Sequence, residues 1–242
     1  MKKIIRFLGL SLLTALSPAV FAGITIMPEP QRLALVIGNS NYGKDHLRTP
    51  DNDARLMAQA LRDTGFSVTK LENAKQADMR EAIKQFGQQL DENSISVFYY
   101  SGLSVSQDGM TYLLPVDVEQ ADNTKLKEQA LDTNSLFEVT KNSGTAFFFL
   151  DALPPVPITV RHTNTLAATN AIPGQSLVSD NKGDYSYFVA ALNKWLHKPL
   201  SADIVLKNVI GDVENASEGL QTPWYSSTLH EAFYFTAPPA IH

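Results

Sequence analysis

Two aspartates stand where this chain could bind a basic side chain. Asp53 opens a helical pattern directly after the first strand-like run, and Asp151 lies at the end of the apolar run FFFLDA. Because the carboxyl ends of parallel strands meet at one edge of a sheet, we expect both carboxylates there. Two converging carboxylates bind guanidinium or ammonium groups well. Each also has a simpler interpretation, as a residue that favours a helix N-terminus (Asp53) or that accepts local backbone hydrogen bonds (Asp151).

A cluster of serines follows the third strand-like run, VFYYSG. Ser101, Ser104 and Ser106 carry hydroxyl groups, and a serine nucleophile needs a base within hydrogen-bond reach. The stretch is not the G-x-S-x-G turn of serine hydrolases, and no histidine stands near it in the sequence. A hydrolase that uses Ser101 or Ser104, with a base supplied from elsewhere in the fold, therefore stays open as an alternative.

Thiolate chemistry and metal chemistry have little support in the composition. The chain contains no cysteine, which excludes thiolate catalysis and thiolate metal ligation. The five histidines lack partners at metal-ligand spacing, so we expect no metal site and no cofactor. The acidic stretch 116–123 does not follow the spacing of an EF-hand loop, and a solvated loop is its simpler interpretation.

Apolar runs that alternate with amphipathic patterns must position these residues. Strands are predicted over 32–39, 66–72, 94–102, 145–152 and 232–236, with a weaker one over 164–171 and a hairpin arm over 110–117. Helices are predicted from a cap at Asp51 or Asn52 to Gly65, and over 76–90, 133–142, 184–196 and 203–217. This alternation predicts an α/β domain with a largely parallel sheet covered by helices on both faces.

The N-terminus has the pattern of a secretory signal peptide. The basic MKKIIR precedes an apolar stretch, and small residues lead up to Ala22. The stretch is short for a membrane span, and Pro18 interrupts it. We therefore expect cleavage after Ala22, no stable membrane span afterwards, and a periplasmic or secreted location in a bacterium.

The rest of the chain is expected to form a single domain. After removal of 1–22, a leader over 23–31 precedes a domain over 32–236 and a tail over 237–242. This mature chain holds 17 lysines and arginines against 25 aspartates and glutamates, a formal charge of −8. Without a basic stripe, no nucleic-acid partner is expected, whereas cationic partners suit the acidic charge.

Several motifs also occur together in the order typical of one family. They are RLALVIGNSNY, PDNDARLMAQALRDTGFSV, VFYYSG, YLLPVD, FFFLDA, DYSYFVAAL and QTPWYSSTLHEAFYF. Together they resemble the caspase-like fold, in particular the bacterial metacaspase-related proteins of peptidase family C14. The resemblance implies a three-layer sandwich with a mostly parallel six-stranded sheet and helices on both faces.

The resemblance also implies a changed catalytic site. In that family the third strand runs into S-G-H-G, with histidine as general base, and the fourth into D-A-C, with cysteine as nucleophile. Here leucines, Leu103 and Leu153, stand at both dyad positions. Leucine can neither attack a carbonyl nor transfer a proton. Asp53 and Asp151 match the pair that lines the family's pocket for arginine or lysine, whereas LPPVP (153–157) departs from the usual polar loop.

Three functions follow as hypotheses. The first is a secreted, catalytically inactive caspase-like protein that acts as a binding or regulatory module and recognises peptide segments bearing arginine or lysine. The second is a hydrolase with Ser101 or Ser104 as substitute nucleophile. The third is a structural component of an envelope complex.

Overall fold

The structure is a computed structural model that describes residues 29–118, 126–153, 158, 160–172, 174–175 and 183–239. The predicted signal peptide, most of the leader and the LPPVP segment, and parts of the acidic stretch and the tail lie outside the described residues.

Sixteen helices and strands follow one another in the described residues. In chain order they are β1 (Arg32–Gly38), β2 (Asn41–Tyr42), β3 (Asp45–His46), α1 (Pro50–Asp63), β4 (Ser67–Glu72), α2 (Gln76–Gln88), β5 (Ile95–Gln107), β6 (Met110–Leu113), α3 (Leu126–Gln129), β7 (Leu131–Asp132), α4 (Thr133–Thr140), β8 (Thr145–Leu153), β9 (Thr165–Thr169), α5 (Tyr187–Leu196), α6 (Ala202–Ala216) and β10 (Trp224–Ser227). No described helix is both long enough and apolar enough to cross a membrane.

Six of the strands form the central sheet. Their spatial order is β10-β9-β8-β5-β1-β4, and every neighbouring pair is parallel except β10 with β9. Strands such as β1 and β8 are apolar on both faces because helices cover both sides of a parallel sheet. This confirms the predicted α/β class and the mostly parallel six-stranded sheet.

Helices on the two faces of the sheet enclose two apolar cores. On one face, α1, α5 and α6 pack over Val97, Tyr99 and Phe149. On the other face, α2 and α4 pack over Phe98 and Leu150. The alternation of β5 side chains between the two cores follows from the period of two along a strand. The three layers of the predicted sandwich are therefore present.

The predicted last strand over 232–236 is wrong. The sixth strand is β10, and within 232–236 Tyr234 makes only an isolated bridge with Ser201. The rings of Phe233 and Phe235 instead pack with centroids 4.6 and 4.9 Å from that of Phe147. Alternating aromatic residues suit a strand, but here both rings pack against β8 while the segment itself stays outside the sheet.

The first helix and the third strand also differ from their predictions. The helix begins at Pro50, before the predicted cap, because proline suits the first helical position. The strand continues past the predicted turn at Ser101 and Gly102, leaves the main sheet, and pairs antiparallel with β6. A side chain at Gly102 would bring its Cβ to 2.5 Å from the Tyr42 hydroxyl and 2.7 Å from the Tyr100 hydroxyl.

We predict that Gly102→Ala lowers the free energy of unfolding by about 2–3 kcal/mol, because the added methyl group overlaps two buried hydroxyls. Urea denaturation followed by circular dichroism measures this change. Gly211→Ala is the matched control, since its Cβ meets no atom within 4 Å and it lies inside α6. It should stabilise the protein by about 0.5–1 kcal/mol. Equal effects of the two changes would contradict the prediction.

Candidate binding site at the carboxyl end of the sheet

The structure brings the two predicted aspartates to the same edge of the sheet. Asp53 lies in the first turn of α1, and Asp151 lies near the end of β8. In the parallel β5–β8 pair, Ser101 is the register partner of Asp151 and Leu103 is the partner of Leu153. The carboxylates and the two leucines therefore share the carboxyl end of the central strands.

One serine connects the two carboxyl groups. Ser186 precedes α5, and its backbone N–H donates to Asp53 Oδ1 at 2.8 Å. Its hydroxyl donates to Asp151 Oδ2. The same hydroxyl oxygen accepts a hydrogen bond from Val189 N at 3.0 Å, which caps the helix. The start of α5 thus links α1 to β8.

Further side chains bond to the pair, among them those of Ser101, Asn170 and Tyr99. The Ser101 hydroxyl donates to Asp53 Oδ2 at 3.0 Å. Asn170, just after β9, donates from Nδ2 to Asp151 Oδ1 at 2.8 Å, and the Tyr99 hydroxyl donates to Asp151 Oδ2 at 3.3 Å. The Asn170 Oδ1 atom is buried and has no hydrogen-bond partner among the described residues. It is an unused acceptor beside the pair.

Burial dominates the electrostatics of the site. Asp53 is 0% exposed and Asp151 5% exposed. Desolvation, and after it the neighbouring Asp151, raises the pKa of Asp53 well above its ordinary value. Desolvation also raises the pKa of Asp151, against the opposing hydrogen bonds from Ser186, Asn170 and Tyr99. No lysine, arginine or histidine in the described part of the chain pairs with either carboxyl group.

The two leucines lie beside the carboxylates and are partly exposed. Leu103 packs against an apolar cluster that includes Tyr42, Tyr112 and Leu114. Its backbone N–H donates to the Tyr42 hydroxyl at 2.8 Å, and its carbonyl accepts from the Tyr100 hydroxyl at 2.6 Å. Burial raises the pKa of Tyr42 to about 12, so this phenol stays neutral at physiological pH. The backbone at Leu103 is therefore held by a neutral hydrogen-bond network.

The serines proposed as substitute nucleophiles are both buried. Ser101 is 2% exposed and Ser104 is 5% exposed. The described histidines make their contacts elsewhere: His46 with Asn41, His162 with Glu138, His197 with Asp63, and His230 in a cavity that Thr145 and Asn164 also line. The general base that a serine nucleophile needs is therefore not among these histidines. Within the described residues, no group of three or more histidine or acidic side chains could hold a metal ion.

Sequence reasoning missed Ser186 and Asn170. A serine directly before an apolar helical pattern is a signal for an N-cap, so Ser186 could have been assigned to the helix start. Asn170 follows a strand in the same way as Asp151, and strand ends collect polar side chains in open α/β sheets. Their contact with the pair depends on α5 and β9 reaching the same edge.

Comparisons with known proteins identify the family. The family model described as the caspase domain matches residues 31–234. The chain belongs to the caspase-domain family. The match covers almost all of the described residues, so the caspase-like fold implied by the motifs is confirmed.

Two curated relatives align with about half of this chain. The human mucosa-associated lymphoid tissue lymphoma translocation protein 1 is 31% identical over 124 residues, which is 50% of this chain and 15% of that protein. The mouse homologue is 28% identical over 123 residues, 50% of this chain and 14% of its own length. The chain therefore corresponds to a small part of these relatives.

Solved structures support the same fold. The Drosophila initiator caspase Dronc superposes with a TM-score of 0.66 at 14% identity, over 86% of this chain and 85% of that one. Caspase-1 from Spodoptera frugiperda superposes with a TM-score of 0.62 at 17% identity, over 88% of this chain and 93% of that one. Identity at this level shows a common fold and leaves the site to be argued from its own residues.

The raised pKa of Asp53 predicts a pH-dependent contribution to stability. The folded protein keeps a proton that the unfolded chain releases near the ordinary value of 3.8. The contribution of this proton to the free energy of unfolding is fully present below that pH, and it is lost as the pH rises toward the pKa of Asp53 in the folded protein. The asparagine in Asp53→Asn carries no charge at any pH. The free energy of unfolding of this variant, relative to that of the unmodified protein, should therefore grow by at most about 1.4 kcal/mol per pH unit over this window.

Urea denaturation at a series of pH values measures this difference. Asp78→Asn is the matched control, because Asp78 is exposed and lies in the first turn of α2. The stability of Asp78→Asn relative to the unmodified protein should show no comparable growth over this window. Equal behaviour of the two variants would contradict the prediction.

Proposed function

We propose that this chain is a catalytically inactive caspase-domain protein that binds peptide segments bearing arginine or lysine through Asp53 and Asp151. In this function it serves as a binding or regulatory module. The observation that carries the proposal is the pair of buried carboxyl groups without a cationic partner in the described part of the chain.

The pair suits a cation for physical reasons. A buried carboxylate without a counter-charge is costly, and a cation that enters beside it recovers Coulomb energy in a low dielectric. Guanidinium groups bind carboxylates through parallel hydrogen bonds, and ammonium groups bind as point charges. The unused Oδ1 of Asn170 offers a further acceptor close to Asp151. A basic side chain therefore finds charge and acceptors together.

The inactive state in this proposal rests on Leu103 and Leu153. They are register partners at the end of the parallel β5–β8 pairing, where relatives that the motifs resemble carry histidine and cysteine. No cysteine occurs elsewhere in the sequence to replace the nucleophile. Removal of either member of such a pair costs several kcal/mol of transition-state stabilisation, so about 10³-fold or more in rate. Recognition, in contrast, needs only the carboxylates.

The proposed place of action is the bacterial periplasm or the exterior. Its support is the basic and apolar pattern of residues 1–22, which lie outside the described residues. The acidic charge of the remaining chain favours approach of cationic partners.

Binding of a matched peptide pair tests the proposal. We predict that a short peptide with a central arginine binds the purified protein, whereas the same peptide with citrulline, which is uncharged, binds at least about tenfold more weakly. Asp53→Asn and Asp151→Asn should each lower the affinity for the arginine peptide by a similar factor. Asp78→Asn is the control that should leave its affinity unchanged. Fluorescence anisotropy of a labelled peptide measures all of these affinities.

The two alternatives give different results in the same assays. Hydrolysis of fluorogenic arginine and lysine peptides that Ser101→Ala or Ser104→Ala abolishes would support the hydrolase; the hydrogen bond from Ser101 to Asp53 places a carboxyl group within reach of the Ser101 hydroxyl. A stable complex with an envelope protein that ignores both aspartate changes would support the structural role. Equal affinity for arginine and citrulline peptides would refute the proposed pocket.

A further inference from the structure

The donors around Asp151 favour its charged form. Asn170 contributes an amide N–H to Oδ1. The Ser186 oxygen accepts from Val189 N, which leaves its own hydrogen directed at Asp151 Oδ2. The Tyr99 hydroxyl adds a third donor to Oδ2. Three hydrogen bonds into one carboxyl group stabilise a carboxylate and disfavour a carboxylic acid.

The partners of Asp53 allow a different state. Oδ1 receives the fixed backbone N–H of Ser186 at 2.8 Å. The side chains that bond Asp53 are the hydroxyls of Ser101, 3.0 Å from Oδ2, and Thr49. A hydroxyl can rotate and accept a hydrogen bond instead of donating one. A proton on Oδ2 therefore finds an acceptor in Ser101 Oγ without any movement of heavy atoms.

Within the described residues, the surroundings supply no cation that would keep both carboxyl groups ionised. The titratable group of β5 that contacts the pair is Tyr99, which is neutral at physiological pH because burial raises its pKa well above 10. Charged side chains on the neighbouring elements have contacts with other groups: Arg48 with Asp184, Asp51 with Asn73, Arg55 with Glu72, Arg32 with backbone carbonyls at Thr64 and Phe235, and Lys194 with Asp212. Strands β8 and β9 contain no titratable residue besides Asp151.

We propose that the free site holds one negative charge, on Asp151, and one proton, on Asp53 Oδ2, and that a basic side chain binds by displacing this proton. This inference rests on the proposed function and adds its regulation. On binding, the O–H bond of Asp53 breaks, the proton passes to the buffer, and the cationic group takes its place between two carboxylates. Binding is therefore linked to pH.

The thermodynamic linkage between proton release and ligand binding determines the direction of the pH effect. While the free site is protonated and the complex is not, affinity rises about tenfold for each unit of pH increase. The rise ends when the free site itself loses its proton. A basic segment is thus held more weakly in acidic surroundings, and the site releases it as the pH falls.

The proton on Asp53 is tested first without a ligand. The infrared spectrum at pH 7 should contain the carbonyl stretch of a protonated carboxylic acid. Asp53→Asn should remove this band, and Asp78→Asn should leave it unchanged. A spectrum of the unmodified protein that is identical to that of Asp53→Asn in this region would overturn the protonated state.

Displacement of the proton is tested with N-acetyl-arginine amide as the probe. Isothermal titration calorimetry at pH 7, in two buffers of different ionisation enthalpy, should show about one proton released for each molecule bound. Affinity should increase about tenfold from pH 6 to pH 7. Asp78→Asn should behave as the unmodified protein.

The outcomes separate this inference from the proposed function. Binding without proton release and without pH dependence overturns the inference and leaves the arginine pocket in place. Absence of binding at every pH overturns the proposed function, and the displacement step with it, whatever the infrared band shows.

Discussion

Two buried carboxyl groups on different elements receive hydrogen bonds from one residue, Ser186. Its backbone N–H satisfies Asp53 on α1, its hydroxyl satisfies Asp151 on β8, and its oxygen caps α5. Burial of charge is tolerated only where hydrogen bonds replace water. The same hydrogen bonds therefore determine both the position of α5 against the sheet and the geometry of the two carboxyl groups. The site cannot be rearranged without moving a helix of the core.

The same edge of the sheet combines this polar pair with an apolar counterpart. Beyond Leu103, β5 leaves the main sheet, and Leu103 itself is held by the hydroxyls of Tyr42 and Tyr100. Gly102 permits the close approach of both phenols. In the proposed function, the carboxyl groups recognise the ligand through their charge and position. The positions that would transfer a proton and attack a carbonyl are occupied by leucines.

Similarity of fold extends much further than similarity of sequence in this family. The superposed caspases share 14% and 17% of residues with this chain over more than four-fifths of its length. What such distant chains share is the parallel sheet and its two helical layers, which many apolar sequences satisfy. The chemistry of the edge depends on a few side chains, so it must be argued from Asp53, Asp151 and their neighbours.

The sequence alone predicted five strands of the central sheet, the five longer helices and their order, because apolar periodicity records which face of each element is buried, but it did not predict β10 or the short elements β2, β3, β7 and α3. It also placed Asp53 and Asp151 at one edge, since parallel strands end together. It failed at 232–236, where the aromatic pattern of a strand serves packing under the sheet. Only the tertiary structure decided the burial of the carboxyl pair and its bridge through Ser186 and Asn170. These residues are 133 and 19 positions away from the carboxylates they bond, Asp53 and Asp151, and no local pattern records a contact that forms only when α5 and β9 pack beside β8.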